Sequence, residues 1–276
     1  MLLRLFTWLN ARPAARRWMW RHWYRFLSRW FRAGDWNFLN YGLAAQGALS
    51  PLRTLKLRPE DEADRSWITL YHHVAEPLDL SGRTVLEVGS GRGGGASYIA
   101  RYRGPGRVIG LDISDSAVAL CRQRHHAPGL SFRQGDAEAL PFAACEMDVV
   151  INVESSHCYG SLPKFLAEVY RVLRPGGFFL YADFRPGDAI AGWLAEIAAA
   201  GFVERGRQDI TSAVVKAIEE NDERRSQMIG RTIPLPLRST FRQFAGVPGS
   251  IIHAEMRTRG MIYLSFVLQR ELGNGN

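Results

Sequence analysis

The stretch from Thr84 to Tyr98 constrains the fold of this chain more than any other. An apolar run, Val85 to Val88, enters a glycine-rich turn, and Ala96-Ser-Tyr-Ile99 then starts a predicted helix. A strand, a tight turn and a helix together present backbone N–H groups to a nucleotide-like ligand, because glycines leave room for close approach. The candidate ligand-binding residues in this turn are Gly89, Ser90, Gly91 and Gly93.

Two acidic residues accompany the turn. Glu87 lies inside the predicted strand, two residues before the first glycine, where a carboxylate is unusual unless a cationic or hydroxylated group meets it. Asp112 ends a second apolar run, 108–111, nineteen residues after Gly93. An acidic residue at the end of the second strand can accept hydrogen bonds from both hydroxyls of a ribose, so we expect Asp112 and its neighbour Ile113 at the ligand.

A third motif narrows the choice of ligand. Gly135-Asp-Ala-Glu138 follows a predicted strand at 130–134, where Asp136 can accept a hydrogen bond from an adenine amine and Ala137 offers its N–H. In order and spacing, the three motifs resemble those of the class I S-adenosylmethionine (AdoMet) methyltransferases, whereas classical NAD sites have the glycines without the strand glutamate. The resemblance implies AdoMet as the cofactor. A purely structural glycine turn and an NAD site are the alternatives.

Predicted strands and helices alternate regularly from Val85 onward. Strands are predicted at 85–88, 107–112, 130–134, 148–152 and 178–183, and helices at 94–103, 114–125 and 163–173. Such an alternation implies right-handed crossovers and a parallel sheet with helices on both faces. The resemblance implies an α/β, Rossmann-like class I methyltransferase fold with a mostly parallel seven-stranded sheet. The remaining segments are predicted as helices at 60–74, 188–200 and 211–231 and as strands at 202–205 and 261–268.

Composition and charge suggest one domain with an appended cap. The 276 residues are 46% hydrophobic, which is enough for one large α/β core. We predict a basic helical arm and connector at 1–58 and a methyltransferase domain at 59–276, with a late helical lid at about 186–250. The net charge of +8 comes entirely from residues 1–32, which contain eight arginines and no acid, so the rest of the chain is neutral. Because nucleic-acid enzymes usually carry a basic substrate face, we expect no nucleic-acid partner.

The arm has a helical pattern of its own. Arginines recur every four residues from Arg17 to Arg29, while Trp20, Trp23 and Trp30 fall on another face. An amphipathic helix rich in Arg and Trp suits the lipid headgroup boundary, but it has no apolar stretch long enough for a signal or a membrane span. A cap over the active site, contact with a membrane surface, and nucleic-acid binding or an organellar address all stay open.

The three cysteines, Cys121, Cys145 and Cys158, are widely spaced and form no CxxC pair. This usage favours a reducing, intracellular setting, so we predict a cytoplasmic protein with the arm as a candidate peripheral contact to the membrane. The spacing also argues against a structural zinc site, and no metal is predicted. The sequence does not indicate an oligomeric state.

The predicted chemistry lies after the fourth strand, in Asn152-Val-Glu-Ser-Ser-His-Cys-Tyr159. Methyl transfer from a sulfonium needs mainly alignment, and it needs a general base only when the acceptor carries a proton of high pKa. His157 is the predicted base, because an imidazole titrates near physiological pH. Glu154 is predicted to orient His157 or to contact the amino group of the cofactor, and Asn152 to close the cofactor pocket. In the structural alternative, Glu154 caps the following helix and His157 bonds only within its loop.

The run 152–159, together with 165–177 and 181–186, resembles the methyltransferases of bacterial lipid and polyketide metabolism. Among these, it resembles the phthiotriolone and phenolphthiotriolone dimycocerosate O-methyltransferases and the related fatty-acid O-methyltransferases. The likeness also covers His22-Trp-Tyr24, Asn40-Tyr-Gly42 and Leu70-Tyr-His72, but not the extension before Trp18 or the connector 43–58. The residues that we predict to contact the substrate are Trp23, Tyr24, Tyr41 and Tyr159, and Tyr71 is predicted at the methionine end of the cofactor.

The sequence therefore predicts AdoMet-dependent methylation of a hydroxyl or carboxylate oxygen on a long apolar small molecule. A C- or N-methyltransferase for an isoprenoid or an amine is the first alternative, with Trp36, Trp67 and Trp193 as parts of an aromatic cage. The second alternative is a protein of the membrane surface that binds AdoMet without turnover.

Overall fold

The structure is a computed structural model that describes residues 36–272. The predicted arm helix, with Trp23 and Tyr24, lies outside the described residues. The strands are β1 (Thr84–Val88), β2 (Arg107–Asp112), β3 (Leu130–Gln134), β4 (Met147–Val153), β5 (Leu173–Pro186), β6 (Phe202–Asp209) and β7 (Met261–Arg270). They form one sheet in the order β3-β2-β1-β4-β5-β7-β6, in which β7 is antiparallel to both neighbours and all other pairings are parallel. The predicted fold class is confirmed.

Helices cover both faces of this sheet. They are α1 (Arg65–Ala75), α2 (Gly94–Tyr102), α3 (Asp115–Arg124), α4 (Leu162–Val172), α5 (Ile190–Ala199), α6 (Thr211–Glu220), α7 (Asp222–Thr232), α8 (Arg238–Phe244) and α9 (Ile251–Arg257). Local signals set some of their starts. Ser114 caps α3 by accepting a hydrogen bond from Ala117 N, and Ser161 caps α4 in the same way from Lys164 N.

The central strands are buried on both faces, as parallel strands between two helical layers require. In β4, the β-branched run Val149 to Ile151 is fully buried and pairs with Val85 to Glu87 of β1. The order of the strands reverses between β1 and β4, because the chain winds outward from β1 to β3 and then returns to β4. A crevice at the carboxyl ends of the strands is therefore expected at this point.

Two hydrophobic cores lie on the two faces of the sheet. One contains Trp67, Tyr98 and Val214 from α1, α2 and α6, and the other contains Phe165 and Trp193 from α4 and α5. None of the helices in the described range is both long enough and apolar enough to cross a membrane.

Three predicted boundaries need correction. The helix predicted at 60–74 begins as a 3-10 turn, Pro59–Asp64, before α1. The helix predicted at 211–231 is two helices, since Asn221 leaves helical geometry, with φ −105° and ψ 11°. β5 begins at Leu173, inside the predicted helix end, because Leu173 pairs with Met147 of β4.

Helices α6 to α9 form a cap between β6 and β7. The range predicted as a lid, 186–250, also contains α5 and β6, which belong to the sheet and its covering layer, and α6 contributes Val214 to the core on one face of the sheet. The cap has a small core of its own, which consists of Ile229, Ile233, Phe241, Ala245 and Val247, with Trp36 and Leu237 packed against it. Its action as a lid, and the division at residue 58, stay predictions.

The segment 36–44 lies between the cap and the sheet. Arg225 of α7 is buried and donates to the backbone carbonyls of Tyr41 and Ala245. Farther along, Leu43 N donates to Ser66 O and Ala44 N to Ala213 O. These bonds attach the segment on both sides, which places it over the carboxyl ends of the strands.

Candidate active site

The glycine-rich turn after β1 has the backbone that its composition predicts. Gly89, Gly91 and Gly93 have φ angles of +77°, +53° and +83°, in the left-handed region that favours glycine. A Cβ on Gly89 would overlap Ser155 Oγ, and a Cβ on Gly93 would lie 2.7 Å from His125. The turn is therefore packed against protein on one side while its other side borders a cavity.

This cavity lies at the carboxyl ends of β1 to β4 and has about 1130 Å³ of empty volume, including its open mouth. It brings together twelve of the predicted site residues, namely Tyr41, Tyr71, Gly89, Ser90, Gly91, Asp112, Ile113, Asp136, Ala137, Glu154, His157 and Tyr159. Motifs far apart in sequence thus meet at a single edge of the sheet, as their positions at strand ends predict.

Asp112 is tied to the glycine turn. Its Oδ2 accepts from Gly91 N and its Oδ1 from Ser114 N, both at 2.9 Å. Burial raises the pKa of this carboxyl to about 6, although the N–H groups of Ser114 and Gly91 lower it. At neutral pH the carboxylate form predominates, which leaves acceptor capacity for a hydroxylated ligand.

Glu87 lies beneath the cavity and not in its wall. It is 1% exposed, and its Oε1 accepts from the hydroxyl of Tyr71 at 2.6 Å, while no hydrogen-bond partner for Oε2 occurs in the described range. Burial raises the pKa of Glu87 to about 7, against the lowering effect of the Tyr71 hydroxyl. Tyr71, which does line the cavity, therefore separates Glu87 from a bound molecule.

Two further predicted residues also lie behind the cavity wall. Asn152 is fully buried, and its Nδ2 is within hydrogen-bond distance of Val88 O (2.9 Å), Ser155 Oγ (2.7 Å) and Tyr159 OH (3.0 Å). Asn152 was predicted to close the cavity. Instead, it supports the residues that do. Gly93 is the left-handed residue that precedes α2, and its neighbours are His125 and Cys121.

The side chain of His157 is held by a carboxylate from the next strand. His157 Nδ1 lies 2.8 Å from Asp183 Oδ1, and the backbone N of His157 donates to Asp183 Oδ2 at 3.0 Å. Asp183 is fully buried near the end of β5, and the imidazole, which packs 4.5 Å from the ring of Phe184, lines the cavity. Because the ring lines the cavity, the imidazole is placed to exchange a proton with a bound molecule.

The comparisons with known proteins agree with this geometry. Residues 86–181 match a family model described as a methyltransferase domain. Over 232 residues the chain is 44% identical to a probable phthiotriol/phenolphthiotriol dimycocerosates methyltransferase 2 of Mycobacterium ulcerans (strain Agy99), covering 84% of this chain and 88% of that one. It is 41% identical to a fatty-acid O-methyltransferase of Mycolicibacterium smegmatis, with coverage of 85% and 83%.

The chain belongs to this family of AdoMet-dependent methyltransferases. Solved structures with lower identity share its fold. The [4+2]-cyclase SpnF has a TM-score of 0.66 at 19% identity, covering 92% of this chain and 95% of that one. A geranyl diphosphate C-methyltransferase from Streptomyces coelicolor A3(2) has a TM-score of 0.61 at 16% identity, with coverage of 90% and 98%.

In this methyltransferase Glu154 does not orient His157. Its Oε1 accepts from Tyr41 N (2.9 Å) and from the Tyr263 hydroxyl (3.0 Å), and burial raises the pKa of Glu154 to about 7. Its φ of +47° is left-handed, and the following helix is capped by Ser161 and not by Glu154. The prediction that Glu154 orients the base is therefore wrong, because Asp183 occupies that position.

Asp183 was not among the site residues predicted from the sequence. Its signal was present, because the strand predicted at 178–183 ends at Asp183, and the observed β5 continues three residues further. Burial alone would raise the pKa of its carboxyl, but His157 and Arg185 hold that pKa well below the ordinary value. Asp183 is therefore an anion at all physiological pH values.

The same network sets the protonation of His157. Burial lowers the pKa of the imidazole, whereas Cys158 and Asp183 raise it, with a net rise to about 10. Arg185 lies 3.3 Å from Asp183, donates to Ser156 Oγ at 2.7 Å and stacks on Trp193. This second cation shares the carboxylate and so limits how far Asp183 can favour the imidazolium form.

The residues of the predicted aromatic cage lie elsewhere. Trp193 packs against Tyr181 and Arg185, Trp67 lies under Arg224 and Arg225, and Trp36 packs on the cap core. None of them lines the cavity. Within residues 36–272, no group of three or more His, Cys, Asp or Glu side chains is arranged to hold a metal ion.

Proposed function

We propose that this methyltransferase methylates an oxygen, either a hydroxyl or a carboxylate, on a long apolar molecule of the lipid or polyketide class. The observation that carries the proposal is the His157 imidazole, which Asp183 holds at 2.8 Å inside the cavity beside the glycine turn. The names of its relatives, a phthiotriol dimycocerosates methyltransferase and a fatty-acid O-methyltransferase, support the substrate class.

The residues around the turn fit AdoMet. The backbone at Gly89 and Gly91 leaves space for the amino-acid part, with Ser90 and Tyr71 beside it and Glu87 acting through the Tyr71 hydroxyl. Asp112 and Ile113 are placed for the ribose, and Asp136 and Ala137 for the adenine. When bound, AdoMet supplies an electrophilic methyl group on a sulfonium.

The rest of the cavity suits an apolar acceptor. The aromatic side chains of Phe38, Tyr41, Tyr159 and Phe184 line it. They exclude water from the reacting atoms, which favours an in-line displacement.

A hydroxyl acceptor needs a base, and His157 is placed to act as one. When the methyl–sulfur bond breaks, with S-adenosylhomocysteine as the leaving group, and the methyl–oxygen bond forms, the hydroxyl proton would pass to His157 and from there to solvent. Asp183 keeps the proton of the neutral ring on Nδ1 and stabilises the imidazolium that results. A cationic cofactor bound in this cavity would disfavour the imidazolium and so lower the pKa of His157. A carboxylate acceptor has no proton to lose and would need alignment only.

Methyl-transfer assays test this function. Labelled methyl from AdoMet is followed into a host lipid extract, fatty acids and hydroxylated polyketides, and the products are treated with mild base. Release as methanol identifies a methyl ester, and retention in the organic phase identifies an ether when the free hydroxyl is lost. Retention with the hydroxyl intact would indicate C-methylation, and no transfer despite AdoMet binding would favour a binding protein. Either of those results contradicts the proposal.

We also infer that the N-terminal arm contacts a membrane surface from the cytoplasmic side. Its support is the charge of residues 1–32, which contain eight arginines and no acid, together with tryptophans at helical spacing. Deletion of residues 1–32 should lower binding to anionic vesicles, and unchanged binding would contradict the inference.

A further inference from the structure

The turn between α7 and α8 exposes an apolar side chain. Leu235 is 75% exposed and stands between Pro234 and Pro236, whose rings restrict the backbone of the turn. The next leucine, Leu237, packs on the cap core instead. At the other end of α8, Ile251 is 52% exposed, and its N–H is bonded to Gln243 Oε1. A single exposed leucine is ordinary, so its surroundings decide its meaning.

Those surroundings are positively charged. Residues 224–254 contain five arginines and no Asp or Glu. Two of the five are used inside the protein, since Arg224 pairs with Asp64 at 2.8 Å and Arg225 is buried under Tyr41. The other three, Arg231, Arg238 and Arg242, form none of the ion pairs found among residues 36–272.

The hydrogen-bond partners of these arginines do not neutralise their charge. Arg238 donates to the carbonyls of Gly230 and Ile233, and Arg242 donates to Ser226 Oγ, so both are fixed by neutral acceptors. Arg231 is exposed. An apolar tip beside uncompensated arginines is the combination that binds an anionic bilayer, because the tip enters the headgroup region while the cations meet lipid phosphates.

The turn is connected to the cavity through the cap core. Its neighbours Ile233 and Leu237 belong to the cap core or pack on it, as does Trp36. The carbonyl of Trp36 accepts from Arg92 in the glycine turn, and the ring of Tyr41 lies between Gly246 of the cap and Phe184 in the cavity wall. The cap core therefore packs against Trp36, whose neighbours in the segment 37–41 line the cavity.

We propose that Leu235, Arg231, Arg238 and Arg242 form a docking surface for an anionic lipid bilayer, at which the cap faces the membrane. The docking surface brings the cavity to the source of an apolar acceptor, and this purpose rests on the proposed function. The binding itself does not rest on it. The docking surface consists of residues other than those of the arm.

Vesicle binding of the full chain tests the docking surface. Leu235→Ser is compared with Leu272→Ser in co-sedimentation with vesicles rich in phosphatidylglycerol and with vesicles of phosphatidylcholine alone. Leu272 is a matched control because it is also 75% exposed, but it contacts Gly176 at the opposite edge of the sheet. All variants keep residues 1–35, so any binding by the arm is common to them.

We expect Leu235→Ser to weaken partitioning onto the anionic vesicles by about tenfold, the effect of removing one buried leucine side chain. Leu272→Ser should leave it unchanged. Arg231→Gln should weaken binding to anionic vesicles only, and added salt should reduce the difference. Failure of the parent chain to bind anionic vesicles, or equal behaviour of the two leucine variants, would overturn the proposal.

Methyl transfer to a short, water-soluble acceptor separates this proposal from the proposed function. Leu235→Ser should retain full turnover there, since Leu235 is outside the cavity wall. If no variant transfers methyl groups but Leu235→Ser still binds vesicles more weakly, the docking surface stands and the proposed function fails.

Discussion

The cofactor end and the acceptor end of the cavity are built in different ways. At the cofactor end, the bonds are short in sequence or run between neighbouring motifs, such as Gly91 N to Asp112 across 21 residues and Ser114 N to Asp112 across two. At the acceptor end, Glu154 meets Tyr41 across 113 residues and Tyr263 across 109. The cofactor end is therefore formed by sequence motifs, whereas the acceptor end forms only when distant parts of the chain come together.

This difference predicts that the two ends can be impaired separately. Substitutions at the acceptor end should change turnover and leave AdoMet affinity intact, and substitutions at the cofactor end should do the reverse.

The largest effect is expected for His157→Ala. Loss of the base should lower kcat with a hydroxyl acceptor by about 10²–10⁴-fold, while AdoMet affinity measured by calorimetry stays unchanged. With a carboxylate acceptor the loss should be less than about tenfold, because no proton is removed. His126→Ala, at an exposed position outside the cavity, is the control. Near-full turnover of His157→Ala on a hydroxyl would rule out base catalysis.

The second largest effect is expected for Asp183→Asn. It should lower kcat with a hydroxyl acceptor by roughly 10²-fold, because the imidazole of His157 loses its orienting carboxylate. Asp183 raises the pKa of His157, so its removal lowers that pKa. A base acts in its neutral form, and the rising limb of the pH–kcat profile should therefore move to lower pH. An unmoved profile would show that Asp183 is only a structural residue. AdoMet binding serves as the check that the variant is folded.

At the cofactor end, Asp112→Ala should weaken AdoMet binding by about 10- to 100-fold, the usual size of a lost hydrogen bond to a charged group. Turnover at saturating AdoMet should recover. Asp115→Ala, an exposed change three residues away, is the control in the same titration. Normal affinity in Asp112→Ala would refute the ribose assignment.

The smallest effect is expected for Arg185→Gln. Arg185 and His157 share the carboxylate of Asp183. Without Arg185 this carboxylate stabilises the imidazolium of His157 more strongly, which should raise the pKa of His157. The rising limb of the profile should move to higher pH, opposite to Asp183→Asn, with kcat on the plateau changed only a few-fold. Shifts of the same sign in the two variants would contradict the shared-carboxylate arrangement.

Much of the fold was predictable from the sequence, because strand ends, glycine turns and helix caps depend on nearby residues. The predicted strand at 130–134 is also the observed one, and helix α2 ends within one residue of its prediction. The break at Asn221 was not predicted, since residues 218–224 contain neither the glycine nor the proline that usually marks the end of a helix.

The sequence predicted which residues lie at the candidate site, but it did not predict which of them form hydrogen bonds with one another. Glu154 is the acidic residue nearest to His157 in sequence, yet Asp183, 26 residues away, makes the bond. Strand order decides this pairing, because β5 lies beside β4 and places its end next to the loop after β4. A sequence pattern locates strand ends, whereas their neighbours depend on the assembled sheet.

The packed side of the glycine turn affects how mutants of this family should be interpreted. At Gly89 the space for a Cβ is taken by Ser155, and at Gly95 by the ring of Tyr71. Both are protein groups and not ligand, so an alanine at either position would strain the native chain before any cofactor arrived. An inactive glycine-to-alanine variant would then report a damaged fold, and inactivity alone would say nothing about AdoMet.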